Sequence, residues 1–166
     1  MDKEGAAPDW GDLLEQIRTT AESGGDRDVK LSEICRVLKD NIPYYNWVGF
    51  YIVDPVNPRE LVLGPYAGAR TEHVRIAFGK GICGQVAESK ETRVVQDVNL
   101  EDNYLSCSVD VKSEIVVPVL SKGNFVAELD IDSHKTAPFT GDDIEFLEKV
   151  CEIVSPLFTV PAILGD

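Results

Sequence analysis

Positive charge is scarce in this chain: 16 lysines and arginines stand against 29 aspartates and glutamates, a formal net charge of −13. A surface of that sign repels a phosphate backbone, so nucleic acid is excluded as an expected partner. Cysteine occurs four times and histidine twice, with no C-x-x-C or H-x-x-x-H pair, so the local spacing on which zinc sites are usually built is missing. No apolar stretch approaches the ~18–20 residues that cross a bilayer, and no membrane partner is expected. The N-terminal MDKEGAAPDWGDLLEQ is acidic and has no apolar run behind a basic start. It does not read as a signal peptide, and a cytoplasmic location is the expectation. Internal repeats and low-complexity segments are also lacking.

What is present is ordinary for a globular domain: 166 residues, 43% hydrophobic and 27% charged. That length supports one core and makes disulfide staples unnecessary in a reducing compartment. Residues 1–10 read as a flexible tail and 11–166 as a single domain. Leu13, Leu14 and Ile17 form a first helical pattern, and Leu31, Ile34, Cys35 and Leu38 a second, with ESGGDRD as the break between them. WVGFYIV and LVLGPY, joined by DPVNPRE, read as a β-hairpin, and TEHVRIAF as a short strand with Val74 and Ile76 alternating against His73 and Arg75. Gly79 and Gly81 open a helix carrying Ile82, Val86 and Ala87.

RVVQDV is a brief strand before the unpatterned NLEDNYLSCSVDVKS, a long loop. EIVVPVL and FVAELDID are strands joined by the turn SKGN. Thr140 then precedes a helix with Ile144, Leu147, Val150, Cys151 and Val154 on one stripe, and Asp143 stands where a partial capping box needs it. Strands joined mostly by hairpins, with helices before and after, imply an α+β domain: an antiparallel sheet with N- and C-terminal helices packed on one face.

Cys35 and Cys151 lie on apolar helical stripes and read as core. Cys83, in GKGICG, and Cys107, in a polar segment 24 residues later, do not. Cys83 falls in the first turn of a helix, where exposed N–H groups favour a thiolate. Spacing does not say whether the two sulfurs meet. Glu114 opens one strand, and Asp130 and Asp132 share a face of the next; they face either water at a strand end or a cationic ligand. Trp47 and Tyr51 also share a strand face, as core or as the wall of a site for a small cation. His73, Cys83, Cys107 and His134 are the residues a mixed Cys/His metal site would use, although their spacing argues against one.

WVGFY, LVLGPY, GKGICG, SC…SEIVVP and ELDIDS together resemble the GAF family, and within it the free methionine-(R)-sulfoxide reductases, over about residues 28–156. The resemblance implies a GAF-like sheet and thiol-dependent reduction of free methionine-(R)-sulfoxide. Cys107 is then the nucleophile and Cys83 the cysteine able to form a disulfide with it. Glu114, Asp130 and Asp132 match the acids that hold the polar end of the substrate and protonate its oxygen, and Trp47 and Tyr51 the aromatic wall. No cofactor is implied, only an external dithiol such as thioredoxin, and a homodimer is expected because the first helix of GAF domains often packs against a partner. Two residues depart from the family pattern. His73 occupies the place, ten residues before Cys83, where the family carries a third and often resolving cysteine, and Ser108 follows Cys107 where Asp is common. A non-catalytic GAF module binding a small molecule in the same pocket is the alternative, and a Cys/His metal site the lesser one.

Overall fold

Asp9 turns the chain into its first helix: its carboxylate accepts the Asp12 N–H at 3.0 Å, satisfying one of the donors that a helix start leaves free. The computed structural model describes residues 7–102, 104 and 110–159. In chain order the elements are α1 (Trp10–Glu22), α2 (Arg27–Asn41), β1 (Trp47–Val53), β2 (Glu60–Ala67), β3 (Arg75–Ala77), α3 (Gly81–Ser89), β4 (Arg93–Val95), β5 (Ser113–Ser121), β6 (Asn124–Ser133) and α4 (Gly141–Val154). Single 3₁₀ turns follow β4 and α4. No helix among the described residues is long and apolar enough to cross a membrane.

The six strands form one antiparallel sheet in the order β3-β2-β1-β6-β5-β4. Two hairpins create it. In the β5–β6 turn Lys122 and Gly123 have φ of 52° and 80°, the left-handed pair that suits the twist of the flanking strands. In β1–β2 the register slips between Gly49 and Tyr51, so Gly64 and Pro65 of β2 stand opposite Phe50 alone. A bulge is where a strand tolerates proline, because no ladder N–H is needed there. The third strand is shorter than its sequence pattern predicts. It pairs with β2 over only three residues, and Val74, expected to face inward with Ile76, is 57% exposed.

Strand alternation then sorts the side chains. Val48, Phe50, Ile115, Val117, Leu129 and Ile131 meet the stripes of α1, α2 and α4 in one large core. The N- and C-terminal helices therefore share one face of the sheet, as the pattern predicts. Cys35 and Cys151 are buried in this core, their thiols donating to the carbonyls of Pro65 and Val117. Alone of the α-helices, α3 lies over the opposite face, where Ile82, Val86 and Ala87 meet Leu61, Val116 and Phe125 in a second, smaller cluster.

Asp143 does more than its place in a capping box suggests. The box is complete, with Thr140 N–H donating to the Asp143 carboxylate at 2.8 Å and Asp143 N–H returning to Thr140 Oγ1. The same carboxylate is fully buried and accepts the hydroxyls of Tyr44 at 2.9 Å and Tyr45 at 2.6 Å. It ties the start of α4 to the segment between α2 and β1. Asp143→Ala leaves both hydroxyls without their acceptor and is expected to cost about 3 kcal/mol, against about 1 kcal/mol for Thr140→Ala. Urea unfolding measures both; equal losses would show that the tyrosine bonds contribute nothing beyond the cap.

Candidate active site

β6 is flanked on both sides, by β1 and by β5, so side chains on its α3-facing surface are walled in along their length. Glu128, Asp130 and Asp132 all point to that surface. In register, Glu128 stands between Tyr51 and Pro118, Asp130 between Gly49 and Val116, and Asp132 between Trp47 and Glu114. All four acids are buried, Glu128 at 0% and Asp130 and Asp132 at 1% exposure. The reading of Asp130 and Asp132 as a solvated strand end is thereby overturned: Gly81, Ile82 and Cys83 of α3 stand beside Asp130, while Asp132 faces Trp47 and the residues that follow β2. Burying carboxylates is costly unless donors or cations compensate.

The aromatic wall depends on Gly49. A Cβ there would lie 2.4 Å from the Trp47 ring and 2.8 Å from Tyr66 Cβ, so only glycine lets the indole lie flat across the strand. Trp47 stacks on Tyr66 at 5.4 Å and on Tyr51 at 6.4 Å, and its indole N–H donates to the Ala69 carbonyl. Tyr51 O–H donates to the His73 carbonyl at 2.8 Å, which ties His73 to the wall.

Cys83 is the third residue of α3, and the turn that delivers it requires positive φ at Gly79 (89°) and Gly81 (62°). Its first-turn placement agrees with the sequence pattern, but the expected activated thiolate is reversed. Burial, followed by the negative charges of Asp130, Glu128 and Glu114, pushes the thiol well above its ordinary range. The Cys83 Sγ stands 4.0 Å from Glu114 Oε2. Burial also raises Asp130, while hydrogen bonds from Glu114 and Cys83 and the charge of His73 oppose that rise. Burial raises Glu128 well above its ordinary value, with the Asp130 charge adding to it. Neither Glu128 oxygen meets a donor at hydrogen-bonding distance; the Cys83 thiol is the polar group close enough to offset part of the cost.

Two cavities touch this stripe. The larger, about 580 Å³, is lined by Trp47, Asp132, Arg70, Asp110, Val111 and His134. The smaller, about 10 Å³, is enclosed by Tyr51, His73, Cys83, Glu114 and Asp130. The predicted site residues Trp47, Tyr51, Glu114, Asp130, Asp132, Cys83 and His73 thus converge. His134 lines only the larger space, its backbone N–H held by Asn46. Among the described residues the acid and thiol group that could hold a metal ion contains neither histidine; Cys107, the other thiol of the mixed Cys/His set, lies outside them. Cys107 and Ser108 lie outside the described residues; of those that flank them, Tyr104 packs on the second core and Asp110 lines the larger cavity. Glu128 was not foreseen, although the alternation that pairs Asp130 with Asp132 extends one step back to it.

The family model for the GAF domain matches residues 26–156. A free methionine-R-sulfoxide reductase of Saccharomyces cerevisiae is 35% identical over 153 residues, covering 87% of this chain and 84% of its own. The X-ray structure of a free methionine-R-sulfoxide reductase from Neisseria meningitidis in complex with its substrate superposes with a TM-score of 0.84 at 35% identity, covering 92% of each chain. The reduced form of fRMsr of Staphylococcus aureus gives 0.83 at 34% identity, over 91% of this chain and 96% of that one.

Glu128 yields a stability test independent of any ligand. Replacing a buried, unpartnered polar group by an apolar one of similar shape is stabilising or neutral, so Glu128→Met is expected to gain about 1–3 kcal/mol near pH 8. The native state holds the Glu128 proton above the ordinary 4.5 at which the unfolded chain releases it. The stability tied to that proton is whole below about pH 4.5 and is lost as pH rises through the folded value. The advantage of the variant should therefore shrink on acidification toward that pH, as followed by chemical denaturation; an advantage that grows would refute the assignment.

Proposed function

The chain belongs to the GAF domain family, and we propose that it reduces free methionine-(R)-sulfoxide to methionine at the expense of thiols. The observation that carries this reading is the juxtaposition of the Trp47–Tyr51 wall with the buried acids Glu114, Asp130 and Asp132. An aromatic surface suits a methyl-sulfoxide end, and buried carboxylates suit an α-ammonium, whose charge offsets their desolvation. Relatives that cover nearly all of the chain carry the same activity in their names.

In the proposed reaction the Cys107 thiolate attacks the sulfoxide sulfur. An acid of the buried group protonates the sulfoxide oxygen, which passes to the Cys107 sulfur as its bond to the substrate sulfur and the transient Cys107–substrate bond break, and methionine leaves as the thioether. Cys107 retains the oxygen as a sulfenic acid, so the sulfoxide is reduced and the cysteine oxidised by two electrons. A second thiol, Cys83 in this reading, condenses with the sulfenic acid, giving a disulfide and one water. An external dithiol of the thioredoxin class then returns both cysteines to thiols. No bound cofactor enters the cycle. A cytoplasmic homodimer completes the proposal.

Cys83 resolves slowly in this scheme, because burial, and then the acids around it, hold its proton. Consumption of the R epimer, and not the S epimer, with dithiothreitol is the expected result in an epimer-resolved assay. Cys107→Ser should lose ~10³-fold or more of that rate. Cys83→Ser should keep the first turnover and slow the later ones. Unchanged turnover in Cys107→Ser would overturn the proposal, and tight calorimetric binding of the R epimer without consumption would instead favour a sensor module, the reading that the His73 replacement supports.

A further inference from the structure

We propose that Cys83, Glu114 and Asp130 form a site for one thiophilic divalent cation such as zinc, and that a cation held there closes the pocket to an ammonium-bearing ligand. The Cys83 sulfur and one oxygen from each carboxylate lie within 4.8 Å of one another, and all three residues are buried. They come from three different elements: α3, the start of β5, and the middle of β6. No two are close in sequence, so no motif announces the set.

A second observation points to a ligand. Asp130 Oδ1 is buried and meets no hydrogen-bond donor among the described residues, while Asp130 lines the small cavity shared with Cys83 and Glu114. That cavity, about 10 Å³, is of the size that holds a single small occupant. An unpartnered carboxylate oxygen beside a second carboxylate and a thiol has more negative charge to offer than its protein surroundings neutralise.

The donor set selects the kind of ion. One thiolate with two carboxylate oxygens suits zinc or cadmium, whereas calcium and magnesium take oxygen donors alone. Around a tetrahedral zinc the donors stand roughly 3.5 Å apart, so the three side chains need to draw in by only about 1 Å. Three protein donors leave a fourth position for water. Binding forms the metal–sulfur bond and releases the Cys83 proton to solvent; no oxidant or reductant is involved. The ion therefore replaces a proton and leaves every redox state unchanged.

The cation site stands on these residues alone, while its competition with an ammonium-bearing ligand rests on the reading of the pocket given above. Protein kept reduced with a phosphine is titrated with Co²⁺ and followed by the thiolate-to-cobalt charge-transfer absorption. One equivalent should saturate the band and Zn²⁺ should bleach it. Cys83→Ser should abolish the band, and Asp130→Asn should weaken Co²⁺ binding at least about tenfold. Near-ultraviolet circular dichroism establishes that each variant is folded, and if Cys83→Ser does not fold, Asp130→Asn decides. Absence of the band in the native protein, or the same band and affinity in the variants, overturns the site and leaves an adventitious ion only. Methionine-(R)-sulfoxide should raise the apparent Co²⁺ dissociation constant in proportion to its concentration. A cobalt site indifferent to the sulfoxide would uphold the cation site and overturn the substrate placement.

Discussion

Buried negative charge on one face of a central strand is the constraint from which the rest of this structure follows. Glu128, Asp130 and Asp132 share the α3-facing surface of β6, and Glu114 stands beside Asp132 on β5. Carboxylates in such a place repel one another and lose hydration, so the segment that holds them has to be kept in register by other means. β1 and β5 provide it, bonding β6 along both edges. The alternate residues of the same strand, Ala127, Leu129 and Ile131, anchor it in the large helical core. One strand thus carries residues of the large apolar core on one side and buried acids on the other.

This division explains why the two faces are built so differently. Three helices cover one side with aliphatic stripes, locked at the start of α4 by the Asp143 carboxylate and the hydroxyls of Tyr44 and Tyr45. The nine-residue α3 covers the other with few apolar residues and one thiol. A lid that small cannot exclude water from the whole surface, and the larger cavity, which no α3 residue lines, is where its coverage ends. Hydrophobic burial on the helical side offsets the electrostatic cost on the other. Stability and binding capacity are therefore assigned to opposite faces of the same sheet.

Local pattern made much of this legible in the sequence. Period-two alternation identifies β1, β5 and β6, the positive-φ demand of SKGN fixes their hairpin, and the helical stripes place Cys35 and Cys151 in the core. What the sequence could not show is whatever depends on an element from elsewhere in the chain. Asp130 and Asp132 look like a strand end in water until α3 and the residues after β2 are laid across them. Asp143 looks like half a cap until two tyrosines nearly 100 residues earlier arrive at its carboxylate. Val74 looks inward-facing because alternation says nothing about how soon an edge strand loses its partner. The convergence of Trp47, Tyr51, Glu114 and Cys83 was legible through family resemblance, because residue spacing alone carries no distance.

The same electrostatics sets a division of labour between thiols. A helix N-terminus lowers the energy of a thiolate, and Cys83 has that advantage. Yet partial charges at a helix end act against full burial, reinforced by three nearby acids, and burial wins. A site that gathers carboxylates to hold a cation cannot, with the same field, activate a thiol in its floor. In the proposed cycle the first attack therefore falls to a cysteine other than Cys83. Cys83 then becomes competent only when positive charge enters the site or when its proton has somewhere to go. In a sulfenic acid condensation that destination exists, because the departing hydroxide takes the proton as water. In the proposed cycle, burial and the acids that keep Cys83 a thiol thus suit it to the resolving step and not to the first attack.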